Sequence, residues 1–324
     1  MVTSPTPAAG ARAASRSSPA PRADRTTLRN GASTMPEQDQ HPVVWAPGDY
    51  QLGEGPRWVD GRFVFTDIFS GRLFEVSATE PGTPRELLRL DVPLGAVAPI
   101  EGRPGHWIAA AGTGIALLGP DGSVDWLARL EDDVATPIRM NDGVCDPQGR
   151  FWAGSMPNDG TPGTGSVYRI DRDGSVHRVL TGLNIVNGPA FNADGRLLYV
   201  ADSTAGVILR CTLDADGNPL ETVEFARITG GSPDGMTVDT AGRLWVAVWG
   251  GGVVHRYEPD GTLSATVAVP VPQPTSVCLA PTGGLLLVTT ARLGLADDAP
   301  AASGSVLAVP VDAVAPPAAA YRPS

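Results

Sequence analysis

Apolar residues recur along this chain in short runs, and each run is set off by a turn. A first set of turns precedes an apolar strand: Asp60-Gly61, Pro104-Gly105, Gln148-Gly149, Asp194-Gly195, Ala241-Gly242 and Thr282-Gly283. The glycines lie 44, 44, 46, 47 and 41 residues apart. A second set of strands starts at Gly71, Gly114, Gly165, Gly206, Gly252 and Gly304, and several run into a further turn such as Pro120-Asp-Gly-Ser or Glu258-Pro-Asp-Gly. Glycine supplies the positive φ that tight hairpins need. Each unit therefore reads as strand, turn, strand, loop, strand, turn, strand. Six units of four strands at a period of 41–47 residues predict an all-β fold, a six-bladed β-propeller with four antiparallel strands per blade. The sixth unit holds only three strands after Thr275, and Val43-Val44-Trp45 is unassigned. That N-terminal strand is expected to complete the last blade and close the ring, which removes open strand edges.

The expected organisation is a disordered extension over 1–42, a propeller over 43–313 and a loose C-terminal tail over 314–324. The first segment is rich in Ala, Pro, Ser, Thr and Arg without periodicity. It carries five arginines but no apolar h-region and no twin-Arg pair, and Met35 offers an alternative start. No apolar run approaches the length needed to cross a bilayer, so a cytoplasmic location is expected.

In a propeller the innermost strand of each blade lines a central channel. Counting back seven or eight residues from each first-set glycine gives Glu54, Val97, Asn141, Asn187, Asp234 and Thr275. Two carboxylates and two amides are thus expected around one axis. Such oxygen donors suit a hard divalent cation. None of the four histidines falls in this register, which argues against a His-rich zinc site. The competing reading is that the Asn-Gly and Asp-Gly pairs are turn formers. Arg139 lies two residues before Asn141, so both side chains can face one way. A guanidinium beside an amide would hold hydroxyl, carbonyl or carboxylate groups of a small polar ligand, though a rim salt bridge would also account for Arg139. Asp142 is read as a turn residue, and Asp202 as a holder of turn hydrogen bonds.

Composition narrows the partners. The chain has 24 basic and 35 acidic residues, a net charge of −11, which disfavours nucleic acid and anionic membranes. Every basic residue is arginine. Cys145, Cys211 and Cys278 are odd in number and widely spaced, so no disulfide framework is expected, and Cys145 and Cys278 read as buried thiols. The sequence leaves the oligomeric state, monomer or dimer, open.

Four segments in order resemble the SMP-30/gluconolactonase/regucalcin-like (LRE) family. They are Leu52–Trp58, Arg139–Met156, Asn187-Gly188 with Leu198–Ser203, and Pro233–Ala247, with a weaker match at Thr289–Arg292. The resemblance spans roughly residues 48–310. It implies a six-bladed propeller that hydrolyses sugar lactones with one divalent cation, calcium being the first choice over magnesium, manganese or zinc. Glu54, Asn187 and Asp234 would bind the metal, and Arg139 and Asn141 the substrate. Pro189 departs from the aliphatic residue that relatives often carry there.

On these grounds the expected activity is a gluconolactonase-like opening of sugar lactones by attack of a metal-activated water, with Asp234 as general base. No G-x-S-x-G motif is present, which argues against a serine hydrolase. Two rivals stay open: a metal-dependent esterase or phosphotriesterase on the same fold, and a non-catalytic propeller that binds a cation or a partner.

Overall fold

The structure is a computed structural model that describes residues 41–132 and 136–324. The N-terminal extension therefore lies outside the described residues, save its last two positions. Within them the chain forms six four-stranded antiparallel sheets and no helix. The first blade holds β2 (Gly53–Val59), β3 (Arg62–Asp67), β4 (Arg72–Ser77) and β5 (Arg85–Arg89), after the N-terminal strand β1 (Val43–Ala46). The second holds β6 (Leu94–Pro99), β7 (Trp107–Ala111), β8 (Gly114–Leu118) and β9 (Val124–Arg129). The third holds β10 (Ile138–Cys145), β11 (Phe151–Pro157), β12 (Gly165–Ile170) and β13 (Val176–Leu183). The fourth holds β14 (Val186–Phe191), β15 (Leu197–Asp202), β16 (Val207–Leu213) and β17 (Pro219–Arg227). The fifth holds β18 (Ser232–Val238), β19 (Leu244–Trp249), β20 (Val253–Tyr257) and β21 (Leu263–Ala268). The last holds β22 (Pro274–Leu279), β23 (Leu285–Thr290), β24 (Val306–Pro310) and, as its fourth member, β1.

The expected propeller and its N-terminal closure are both present. Val43 pairs with Ala308 and Val44 with Leu307, so β1 covers the edge that β24 would otherwise expose. Burial follows position in the blade. Strands nearest the axis are mostly buried, β22 throughout, whereas the outer strand β9 alternates. Strands enclosed on both faces read as continuous apolar runs, and half-exposed ones alternate. The core lies between blades rather than within them. Phe65, Phe74 and Val76 of the first blade pack with Trp45, Leu287 and Ala308 of the last. Inner strands touch their neighbours around the full circuit, from β2 through β22 and back to β2.

The recurrent Asp-x-x-Gly-Arg turns have a second physical basis. Asp146 accepts from the Arg150 backbone N–H, from Arg150 Nε at 2.6 Å and from Trp152 Nε1 at 2.8 Å. Asp239 does the same for Arg243 and Trp245, at 2.7 and 3.0 Å. One buried carboxylate thus closes the turn and orients the large aromatic of the following strand.

The C-terminal segment is not a loose tail. It crosses the face opposite the mouth and bonds to one blade after another. Thr240 N–H donates to Val314, Ala318 N–H to Trp58, Tyr321 N–H to Pro99, and Arg322 N–H to Gly149. Tyr321 is buried in the cluster between the second and third blades, and its hydroxyl donates to the Asp171 carbonyl at 2.9 Å. Ala313 and Ala315 are buried, and the Ala315 and Ala318 N–H groups donate to the Ala280 and Trp58 carbonyls, while Pro316 and Pro317 stay exposed. Tyr321→Ala should therefore destabilise the fold by about 3 kcal/mol, as for other buried aromatic truncations. Urea denaturation checks this; an unchanged midpoint would mean that the strap contributes nothing.

Candidate active site at the channel mouth

Each inner strand changes register near its first residues. The shift falls between Glu54 and Arg57, Met140 and Gly143, Asn187 and Ala190, and Pro233 and Met236. These are β-bulges, which re-aim a side chain out of the ladder. The Glu-Gly, Asn-Asp-Gly, Asn-Gly and Asp-Gly pairs therefore lie inside strands and are not hairpin turns. Gly188, at φ 51°, holds a backbone conformation that suits glycine, and a Cβ there would also meet the Asp234 carbonyl at 2.8 Å.

The bulges bring Glu54, Asn141, Asn187 and Asp234 to one cavity of about 230 Å³, together with Arg139. Val97 is not among them. It is packed in the core between the first two blades. The bulge of β6 falls between Leu94 and Ala96, so the equivalent position is Gly95. The β6–β7 connection spans 100–106 while β10–β11 spans 146–150, so counting back eight residues stops two short. Gly95 has its own reason: a Cβ there would sit 2.1 Å from the Asn141 carbonyl oxygen. Thr275 keeps the register, but its hydroxyl turns to the Gly53 carbonyl.

The polar groups form a linked set. Arg139 Nη1 donates to Asn141 Oδ1 at 2.6 Å and to the Met140 carbonyl at 3.0 Å. Both acceptors are neutral, so a rim salt bridge does not describe this arginine. Its guanidinium also lies 5.5 Å from the centre of the Phe69 ring. Asn141 Nδ2 donates to Asn187 Oδ1 at 2.6 Å, and Asn187 Nδ2 to Ser203 Oγ at 3.0 Å. Glu54 Oε2 accepts from the Gly55 N–H at 2.9 Å. Asp234 Oδ1 is buried and has no hydrogen-bond partner. Leu52, Met156, Ile185, Trp249 and Leu293 form an apolar collar, and Ser203 and Ser232 complete the lining.

Two residues escaped the sequence reading. Ser203 lines the cavity, and no spacing within its own blade marks it. Asp142 is a buried carboxylate rather than a plain turn residue. It accepts from the Gly143 N–H at 2.7 Å and the Gly188 N–H at 3.0 Å, and it lies 3.5 Å from Arg57. Asp202 does hold turn hydrogen bonds, from the Asn184 and Ala205 N–H groups.

Burial and mutual repulsion dominate the electrostatics. Desolvation, then the nearby Asp142 charge, pushes Glu54 up to about 8. Burial, then Glu54 and Asp142, holds Asp234 well above the usual carboxylate range. Burial raises Asp142 too, against the pull of Arg57. Arg139 is lowered by burial to about 10, with Glu54 and Asp234 opposing the shift, so it stays charged at neutral pH. Among the described residues no three His, Cys, Asp or Glu side chains form a metal cage. The donors on offer are two carboxylates and amide oxygens. They fit a hard cation, because the two acids repel each other and one carboxylate oxygen is unsatisfied.

The opposite end of the channel holds a larger cavity of about 520 Å³, lined by Trp58, Phe191, Met236 and the strap. Cys145 and Cys278 line it as buried free thiols. It contains none of the mouth carboxylates.

Several proteins are similar to this chain in sequence or in fold. A pentonolactonase of Haloferax volcanii is 37% identical over 247 residues, covering 74% of this chain and 82% of that protein. A 6-deoxy-6-sulfogluconolactonase of Pseudomonas putida is 34% identical over 231 residues, covering 70% of this chain and 78% of the relative. The crystal structure of a calcium-binding protein, regucalcin, from Agrobacterium tumefaciens superposes with a TM-score of 0.78 at 29% identity, covering 86% of this chain and 96% of that one. Residues 52–292 match the SMP-30/Gluconolactonase/LRE-like region. The chain thus belongs to the SMP-30/gluconolactonase/LRE-like family.

Proposed function

We propose that the protein hydrolyses sugar lactones at the channel mouth, with a divalent cation held by Glu54, Asn187 and Asp234. The observation that carries this reading is the buried, unpartnered Asp234 Oδ1 beside a second buried acid. Unpaired buried carboxylates are costly, and a bound cation offsets that cost. The lactonase relatives supply the substrate class, and the calcium-binding regucalcin makes calcium the first ion to test. When bound, the cation would polarise the ring carbonyl and acidify nearby water.

The chain's own groups would do the rest. Arg139 and Asn141 would hold the hydroxyl and carbonyl oxygens of the lactone and set its orientation. Arg139 suits this role because it is charged yet spends none of its mouth hydrogen bonds on an acid. Asp234 would take the proton of the attacking water. Burial and its acidic neighbours raise its proton affinity in the cation-free protein, and a bound cation would favour its ionised form, the form a general base needs. The collar of Leu52, Ile185 and Trp249 would limit bulk water around the reacting carbonyl. That same collar favours one second reading, an ester or lactone with an apolar portion.

Proton release from a panel of aldonolactones and simple esters tests this, using chelator-treated protein resupplied singly with calcium, magnesium, manganese or zinc. Activity should return with an ion. Asp234→Asn should lose on the order of 10²–10⁴-fold in kcat, the range of a lost general base. Arg139→Lys should lower kcat/KM by roughly 10–100-fold, as for a lost charge-assisted hydrogen bond. Full activity in chelated protein, or in Asp234→Asn, would rule the assignment out. Ion binding without turnover would favour a binding protein.

A pH effect follows for the cation-free protein. The folded Glu54 value of about 8 lies above the ordinary 4.5. Between these values the folded state holds a proton that the unfolded chain has lost. The Glu54 contribution to stability therefore falls as pH rises from about 4.5 to 8, and levels off above. Thermal melts in chelator should show Glu54→Gln gaining on wild type across that window. The gain should shrink when the bound ion is restored. A pH-independent difference would contradict the burial of the charge.

A further inference from the structure

The hydrogen bonds at the mouth run in one direction across three blades. Arg139 Nη1 donates to Asn141 Oδ1 at 2.6 Å. Asn141 Nδ2 donates to the Val186 carbonyl at 2.9 Å and to Asn187 Oδ1 at 2.6 Å. Asn187 Nδ2 donates to Ser203 Oγ at 3.0 Å, and Ser203 Oγ donates to the Pro233 carbonyl at 2.6 Å. The two ends fix the polarity. A guanidinium can only donate and a carbonyl can only accept. Each amide and hydroxyl between them then has a single consistent orientation. Turning the Asn187 amide over would set its NH2 against the NH2 of Asn141. It would also set its oxygen against Ser203, which could satisfy that oxygen only by leaving Pro233. Asn187 and Ser203 are both buried, so water does not readily replace the lost partners.

We infer that Ser203 is a positioning residue of the mouth: it locks the Asn187 amide with Oδ1 turned toward Asn141 and Nδ2 turned away, so that oxygen, not N–H, is available to a cation. The inference rests on the proposed cation site. Ser203 lies just past the end of β15, and its hydroxyl links the fourth blade to Pro233 on β18 of the fifth. Removing the hydroxyl leaves Asn187 Nδ2 without its acceptor and lets the amide sample both orientations. A carboxylate at position 187 would have no wrong orientation, since both of its ends are oxygens.

Calorimetric titration of chelator-treated protein with calcium, magnesium, manganese and zinc tests this in four forms: wild type, Ser203→Ala, Asn187→Asp and the double variant. Ser203→Ala should bind the preferred ion about tenfold or more weakly, in the range of lost outer-shell partners of metal ligands. In the Asn187→Asp background the same change should cost less than about twofold, since no amide remains to orient. Unchanged affinity in Ser203→Ala, or an equal loss in both backgrounds, would overturn the inference. Ser203→Cys, nearly isosteric and a weak hydrogen-bond partner, serves in its place if the alanine variant does not fold. Side-chain amide NMR of the chelated protein provides an ion-free readout. The Asn187 NH2 should exchange faster with solvent in Ser203→Ala than in wild type. If wild type bound none of the four ions, the cation reading would fail, and this exchange rate alone would decide whether Ser203 holds the amide.

Discussion

The mouth of this propeller is organised by the burial of like charges. Glu54, Asp142 and Asp234 are all buried, and the structure answers them with Arg57 and Arg139. Arg57 is committed to Asp142 and to the Gly143 carbonyl. That leaves Glu54 and Asp234 facing one guanidinium whose hydrogen bonds go elsewhere. A fold would not hold such an arrangement for stability alone, because well-packed apolar groups would cost less. The surplus of buried acid is therefore a feature of the site. The surrounding blades must be rigid enough to keep it in place.

That rigidity comes from closure and from backbone devices repeated at each inner strand. The ring has cores only between blades, so a gap at any one junction would loosen its neighbours. β1 fills the last junction, and Trp45 packs with Phe65 and Leu287 there. At the mouth the bulges of β2, β10, β14 and β18 turn one side chain per strand inward. The inner strands approach so closely that Gly95 leaves no room for a Cβ against Asn141. Closing the ring and converging the polar groups are thus the same geometric event.

The repeat makes much of this legible in the sequence. Equivalent positions in equivalent strands land at equivalent heights on the axis, so a glycine register gathers Glu54, Asn141, Asn187 and Asp234, and strand alternation adds Arg139. It failed in the second blade, where a longer β6–β7 connection displaced the count onto Val97. The true position, Gly95, has no side chain for a polar pattern to detect. The role of Asp142 also stayed hidden, because its partners Arg57 and Gly188 belong to other blades. The same holds for Ser203, whose acceptor is Pro233. The strap over 314–324 misled for a different reason: its small residues and prolines are the composition of a disordered tail and equally of a segment laid flat on a surface.

The linked amides show why the site uses neutral groups between its charges. Asn141 and Asn187 each have a donor end and an acceptor end, and so can transmit orientation from Arg139 to Pro233 without adding charge. A carboxylate at either position would add a further buried negative group to a mouth already pushed toward proton uptake. An amide instead contributes an oxygen at no electrostatic cost, provided that something decides which end faces the cavity. A directional chain anchored by a pure donor and a pure acceptor supplies that decision. The precision of the mouth therefore depends on hydrogen-bond polarity carried across three blades as much as on the carboxylates themselves.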